Sequence, residues 1–284
     1  MKKIILSILF TTFSFSFSIN LSKKLEDEMY NILNEDYRIY KSMYIGDDKN
    51  NKYYSHNETS VRPLASLTKI MTALIVFDDI QEGKYGLDRK VVVSKEASKV
   101  PYGVVIKAKK VYTIEELLHL LLINSSNSSA HQLALFSSNG DIDEFVYKMN
   151  EKARALGLRS LKFKTPHGLP PVNTNKGMDV GNARDIYLLA LIALNNPKLL
   201  EISKKYSYET SDGIKIKSTN TLVQFDEVFG LKTGFHRRAG YNIVYLIDNG
   251  NEKIVQVILG SNTINSRERL GLKTLELMKE SEEE

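Results

Sequence analysis

Apolar residues recur at helical spacing through the middle of the chain and at strand spacing near its two ends. Residues 19–35 form an amphipathic helical pattern. "YRIYKSMYIG" then predicts a strand, "DDKNN" a turn and "KYYSH" a second strand. The segment 66–80 predicts a helix, with Leu67, Ile70, Met71 and Leu74 at i, i+3, i+4 and i+7. Ile75, Val76 and Phe77 make it apolar nearly all round, which places it at the centre of the fold. Thr113-Ile-Glu-Glu116 is a capping box that opens another helix, with Ile114, Leu117, Leu118, Leu121 and Leu122 as its buried stripe. That helix stops in the polar run "NSSNSS", and helical spacing resumes near Ala130. Further helices are predicted over 141–156, ending at Gly157, and over 182–195, ending before Pro197.

The C-terminal part changes period. "YNIVYLI", a "DNGN" turn and "KIVQVILG" predict a β-hairpin. A last helix covers 265–279, followed by the acidic run "KESEEE", read as a solvated, disordered tail. Strands at both ends with helices between them predict an α+β fold. One antiparallel sheet is built from both chain ends, with flanking helices and a helical subdomain.

The first residues add an address. Lys2 and Lys3 precede an apolar run from Ile4, and Ser16-Phe17-Ser18 offers small residues for cleavage. This is the pattern of a signal peptide over 1–18, leaving 19–284 as one domain on the outer side of the cytoplasmic membrane. Its removal takes two lysines from a chain with formal charge +5. No Lys/Arg block or aromatic-basic alternation marks a nucleic-acid site. The remaining positive balance suits association with an anionic polymer or a membrane surface. The chain has 0 cysteines, so it has neither disulfide nor thiol nucleophile.

Three short motifs carry candidate chemistry. Ser66-Leu67-Thr68-Lys69 sets a serine and a lysine three residues apart, on one face of a helix. A lysine among so many apolar residues needs a reason, because burying an unpaired ammonium is costly. Burial and nearby positive charge lower its pKa, and a neutral lysine can take the serine proton. Ser125-Ser126-Asn127 supplies a hydroxyl to relay a proton and an amide to hold a peptide group. Lys232-Thr233-Gly234, just before the hairpin, supplies a second cation, a hydroxyl and a glycine that lets a substrate backbone lie close. Each motif alone also fits ordinary structure: a surface lysine on a helix, turn and cap residues, a solvated approach to a hairpin. The three together, in this order, behind a signal segment, point to chemistry.

As a set they resemble the serine DD-peptidases, the low-molecular-weight penicillin-binding proteins of the D-alanyl-D-alanine carboxypeptidase family. "RPLASLTKIMTA", Thr165-Pro166-His167-Gly168-Leu169, Ala183-Arg184-Asp185, "STNTLV" and "FGLKTGFHRRAGYN" extend the resemblance over about 36–280. The second motif departs from it, with Ser126 and Ser128 where the family often has Gly and Asp. The chain also ends where many members add a C-terminal β domain.

The resemblance implies that Ser66 is the nucleophile and Lys69 its general base. The N–H groups of Ser66 and Phe235 would form the oxyanion hole. Ser125, linked to Lys69 and Lys232, would pass a proton to the leaving amine. Asn127 would hold the substrate amide, and Lys232 and Thr233 would meet its carboxylate beside Gly234. The implied substrates are D-Ala-D-Ala-terminated peptidoglycan stem peptides, or D-Ala cross-links for an endopeptidase. β-Lactams would be covalent inhibitors, and no cofactor or metal is called for.

Rival readings lack their marks. No E-x-x-L-N pattern, which activates the deacylating water in the commonest β-lactamases, occurs in the chain. None of His56, His119, His131, His167 and His236 forms a zinc-ligand pair such as H-E-x-x-H. His236 alone follows the Lys-Thr-Gly motif closely enough to approach a substrate. A wall-binding protein on a dead peptidase fold would have lost Ser66, Lys69 or Lys232.

Overall fold

The computed structural model describes residues 20–250 and 252–283; the expected signal segment lies outside them. Helix α1 (20–35) leads through a turn to β1 (Ser42–Asp47) and β2 (Lys52–His56). The expected first strand starts only at Ser42, because Asp36 Oδ1 accepts the Arg38 N–H at 2.9 Å and curls the chain before it. The β1–β2 turn is tied by Asp47 Oδ1, which accepts the N–H groups of Lys49 and Asn51.

Strand β3 (Arg62–Pro63) enters a short 3-10 turn, Ala65–Leu67, and then α2 (Thr68–Gln81). Helix α2 is buried from Thr68 through Phe77, as its all-round apolar pattern predicts. Fully burying one Ile or Leu stabilises by about 1.5–3 kcal/mol. A ribbon of β4 (Lys90–Val92) and β5 (Val111–Thr113) precedes α3 (Ile114–Leu122). The capping box forms in both directions, with Glu116 N–H to Thr113 Oγ1 at 3.1 Å and Thr113 N–H to Glu116 Oε2 at 2.8 Å.

Helices α4 (Asn127–Ser137) and α5 (Ile142–Ala155) follow, and α5 ends before Gly157 at φ +73°. Then come a single turn, α6 (Pro171–Thr174), β6 (Val180–Gly181), which pairs with β3, and α7 (Ala183–Leu194). Pro197, expected only as a stop, also opens α8 (Pro197–Lys204), capped by Asn196 Oδ1 on the Leu199 N–H at 2.9 Å. A second ribbon joins β7 (Ser207–Glu209) to β8 (Lys215–Lys217).

The chain closes with β9 (Val228–His236), β10 (Gly240–Asp248), β11 (Lys253–Ser261) and α9 (Ile264–Glu283). The Lys-Thr-Gly motif does not precede the sheet; it lies inside β9. Nor is the acidic run a free tail. It continues α9, with Ser281 buried and donating to Leu277 O at 2.8 Å, and Lys279 paired to Glu227 at 2.6 Å.

The strands form one antiparallel sheet in the order β2-β1-β11-β10-β9. Both chain ends therefore contribute, as expected, and β9 is left at an edge. Alternation divides the side chains. Val244, Leu246, Val255, Val257 and Leu259 join the core under the central helices. Ile243, Tyr245, Ile247, Ile254 and Ile258 join the core under α1 and α9. No single helix among the described residues is long and apolar enough to cross a membrane.

Candidate active site

The turn that carries Ser66 is pinned from three directions. Leu64 N–H donates to Asp179 O at 2.9 Å, continuing the β3–β6 pairing. Asn242 Nδ2 on β10 donates to Pro63 O at 3.0 Å and Leu64 O at 3.1 Å. Gly168 and Gly234 then close in on the backbone itself. A Cβ on Gly168, at φ +86°, would stand 1.9 Å from Ala65 O, and one on Gly234 would stand 3.1 Å from Ser66 N. No side chain fits in either gap, so both glycines are required by close approach.

Lys69 lies one turn into the helix, completely buried. Its Nζ is 2.8 Å from Ser66 Oγ, 2.6 Å from Asn127 Oδ1 and 2.6 Å from His167 O. The last two atoms only accept. A neutral amine has two hydrogens and one lone pair. As an ammonium, Nζ donates to Ser66 Oγ as well; once neutral, with both hydrogens given to Asn127 and His167, its lone pair faces Ser66 Oγ and can take the serine proton. Burial pushes the Lys69 pKa well below that of free lysine, the Lys232 charge pushes the same way, and Asp179 opposes them. Asp179 is itself buried and lifted to about 6 by desolvation, against hydrogen bonds from Lys164 and Thr165.

The stretch 165–169 is held in place by side chains beneath it. Thr72 Oγ1 donates to Pro166 O at 2.6 Å, and Thr165 Oγ1 donates to Asp179 Oδ2 at 2.6 Å. The second motif is shaped by its departures. Ser126 caps α4 through the Ser129 N–H at 3.1 Å, and Ser128 Oγ accepts the Ile106 N–H at 3.0 Å while donating to Val104 O at 3.1 Å. The two serines thus tie the loop around residues 104–106 to the site. Asn127 gives Oδ1 to Lys69 and one Nδ2 hydrogen to Pro101 O at 2.8 Å, leaving a second hydrogen for a ligand.

Ser125 lies at φ +63°, in the left-handed region that a non-glycine residue rarely takes. It faces the same cavity as Ser66, but its hydroxyl bonds neither lysine. The expected link is therefore absent: Lys69 is engaged by Asn127 and His167, and Lys232 Nζ donates to Thr233 O at 3.0 Å.

Lys232 is the second buried cation. Desolvation first, then the neighbouring Arg267, lower its pKa to about 7. Thr233 Oγ1 lies 2.6 Å from Thr219 Oγ1. Above these groups opens a cavity of about 1120 Å³ whose lining includes Ser66, Ser125, Asn127, Thr233, Gly234 and Phe235. Phe235 is half-exposed and stacks on Tyr241 with centroids 4.3 Å apart. His236 also lines the cavity, its Nδ1 accepting the Ala239 N–H at 3.0 Å.

All eight expected residues therefore meet in one place. Asn242, Thr219, Asp179 and the His167 carbonyl were missed as working parts, although 165–169 and 218–223 stood out as landmarks. Arg267, on α9, carried no signal at all. It is 4% exposed and reaches Thr219 O at 3.4 Å.

A family model described as D-alanyl-D-alanine carboxypeptidase matches residues 38–263. D-alanyl-D-alanine carboxypeptidase DacF of Bacillus subtilis is 30% identical over 80% of this chain and 58% of its own length. A D-alanyl-D-alanine endopeptidase of Haemophilus influenzae is 33% identical over 68% of this chain and 64% of its own. The chain thus spans about three fifths of the length of these two relatives. Among solved structures, penicillin-binding protein D2 from Listeria monocytogenes in its ampicillin-bound form superposes with a TM-score of 0.76 at 27% identity. That match covers 85% of this chain and 98% of the other. The fold, the order of the three motifs and the family match agree: the chain belongs to the D-alanyl-D-alanine carboxypeptidase family of serine peptidases.

Proposed function

We propose that this protein is a serine DD-peptidase that cleaves the terminal D-Ala-D-Ala bond of peptidoglycan stem peptides through an acyl-enzyme. The observation that carries the reading is the buried Lys69 Nζ, within hydrogen-bond reach of Ser66 Oγ at 2.8 Å and of the acceptors Asn127 Oδ1 and His167 O at 2.6 Å each. Ser66 Oγ attacks the penultimate D-alanine carbonyl as its proton passes to Lys69. The oxyanion is received by the N–H groups of Ser66 and Phe235, an arrangement in which one donor is typically worth about 10²–10³ in rate. The C–N bond breaks, the proton held by Lys69 passes to the leaving D-alanine, a transfer that Ser125 would relay once its hydroxyl turns to Lys69, and water then hydrolyses the ester. Lys232 and Thr233 receive the terminal carboxylate, and Asn127 holds the acyl-side amide.

A β-lactam presents the same carbonyl and carboxylate, and the ampicillin-bound relative supports covalent capture at Ser66. The work would be done outside the cytoplasmic membrane, on the wall side, after loss of 1–18. Residues 19–284 would act as one catalytic domain.

The test is a muropeptide digest with the purified protein, read by mass, alongside labelling with a fluorescent penicillin. Loss of one alanine from pentapeptides supports carboxypeptidase action. Cross-linked dimers falling to monomers would assign the endopeptidase reaction, the activity named for the Haemophilus relative. Ser66→Ala is expected to abolish labelling and cleavage together. Labelling that persists in that variant removes Ser66 from the nucleophile's role.

A further inference from the structure

A basic groove lies outside the catalytic cavity and is unused by the chemistry above. Helix α5 ends at Gly157, and the chain turns back along it. Leu158 N–H donates to Ala153 O at 2.9 Å, and Arg159 N–H to Gly157 O at 3.0 Å. Asn150 clamps the returning segment, its Oδ1 accepting the Phe163 N–H at 2.9 Å and its Nδ2 donating to Phe163 O at 3.0 Å. On the far side Lys162 pairs with Val180. Along this extended segment the side chains alternate. Leu161 and Phe163 are buried, while Lys162 and Lys164 are exposed on the other face, roughly 6–7 Å apart along the chain.

The groove runs between this segment and α5. Its first part, of about 450 Å³, has Leu158, Leu161 and Phe163 as its floor, with Arg154, Arg159, Lys162 and Lys164 around them; no carboxylate lines it. Among the described residues Arg159, Lys162 and Lys164 have neither an ion pair nor a side-chain hydrogen bond, whereas Arg154 is paired with Glu151. Its second part, of about 530 Å³, shares Asn150, Arg154, Phe163 and Lys164 with the first, so the two are continuous. It reaches exposed Tyr147 and Lys176, the latter paired with Asp143. From Asp143 to Arg154 the groove follows about 16 Å of helix. None of these residues lines the cavity of Ser66.

Shape and charge narrow the occupant. A groove of that length exceeds one small anion, and a recessed floor does not lie against a flat bilayer. Free positive charge above an apolar floor suits an extended chain that carries an anion on each repeat with carbon between. Two of the three free cations are lysines, point donors that match the tetrahedral oxygens of a phosphate better than the planar fork of a carboxylate.

We propose that this groove is a docking site for a linear phosphodiester polymer, one with polyol or sugar phosphate repeats. It is separate from the catalytic cavity, and binding there needs neither Ser66 nor Lys69.

The test is fluorescence anisotropy with labelled poly(glycerol phosphate) and the full chain. Binding should saturate, weaken with salt and persist in Ser66→Ala. The double variant Arg159→Gln/Lys162→Gln should bind about fivefold more weakly, in line with two exposed charge pairs. Arg154→Gln, on the opposite wall, should lose about twofold. Lys107→Gln/Lys109→Gln removes the same charge from an exposed, unpaired stretch before β5 and should change nothing. All four substituted side chains of the double variants are exposed, so the melting temperature should hold. Absence of binding overturns the proposal. So does an equal loss in the two double variants, which would reduce it to general charge attraction. Polygalacturonate binding as tightly as the phosphate polymer would remove the phosphate assignment, and tighter binding to anionic phospholipid vesicles would move the partner to a membrane surface.

Discussion

The two faces of the central sheet are built by opposite rules. Under α1 and α9 the sheet offers Met43, Ile45, Ile243, Tyr245 and Ile258 to Leu21, Leu25, Leu270 and Met278, an almost wholly apolar contact. Among the polar residues buried there, Gln256 of the sheet reaches Leu270 O at 3.4 Å, and Thr274 and Ser281 of α9 bond carbonyls of their own helix. Under α2 the same sheet covers Lys69, Lys232, His167 and Asp179, all at most 4% exposed. Such groups are expensive to bury, and among the described residues neither lysine forms an ion pair with a carboxylate; the recorded bonds of both go to neutral acceptors. One face is made for stability and the other tolerates instability, as the proposed roles of Lys69 as base and Lys232 as carboxylate receptor require.

Removing the base should separate the two faces most sharply. Lys69→Met is expected to lower the rate of acylation by at least ~10³-fold, the upper range for general-base catalysis. Its effect on stability should be small. Relief from burying an amine is offset by leaving Asn127 Oδ1 and His167 O without their donor, which costs about 1–3 kcal/mol per buried group. Stopped-flow labelling with a reporter β-lactam and a thermal melt decide it. A variant that unfolds outright would show Lys69 to be structural, and one that acylates normally would strip it of the base's role.

The converse change lies on the opposite face. Ile258→Ala removes a fully buried side chain between β1 and α9, and is expected to destabilise by about 2–5 kcal/mol. Where the protein remains folded, kcat/KM should match that of the parent. Urea unfolding reads the first, and peptide hydrolysis the second. A rate that falls with stability would mean that the two faces are mechanically coupled and the division above is too clean.

How much of this was legible follows the same division. Local pattern identified α2, the capping box at Thr113 and the β10–β11 hairpin, because each depends on residues a few positions apart. The acceptors that hold the Lys69 amine come from 58 and 98 residues away along the chain, and no periodicity reports that. Strand β9 was obscured because Gly230 and Gly234 interrupt its apolar run; both are there to let other groups approach, Asn220 and the Ser66 turn respectively. Helix α8 was lost to an ambiguity in proline, which ends one helix and begins another. The resemblance named all eight residues that the structure gathers around the cavity, although Ser125 bonds neither of its two expected lysine partners here. It was silent on Arg267, whose helix is remote in sequence from every motif.

Lys232 gives the finest test of the contrast, since on one group it sets stability against binding. Its pKa in the folded chain is about 7, against 10.5 for a free lysine. Between those values the unfolded chain binds more protons, so this group's contribution to stability rises with pH. Its value as a carboxylate receptor runs the other way, because only the ammonium attracts the substrate's terminal carboxylate. The free-enzyme kcat/KM for a D-Ala-D-Ala peptide is therefore expected to fall about fivefold from pH 7 to pH 8 through loss of that charge. The guanidinium of Arg267 beside it limits the fall at higher pH. A peptide ending in a carboxamide has no anion to lose, so its alkaline limb should be missing. If both peptides show the same alkaline limb, Lys232 does not receive the carboxylate, and the buried cation of β9 would have to act on the proton traffic of Ser125 instead.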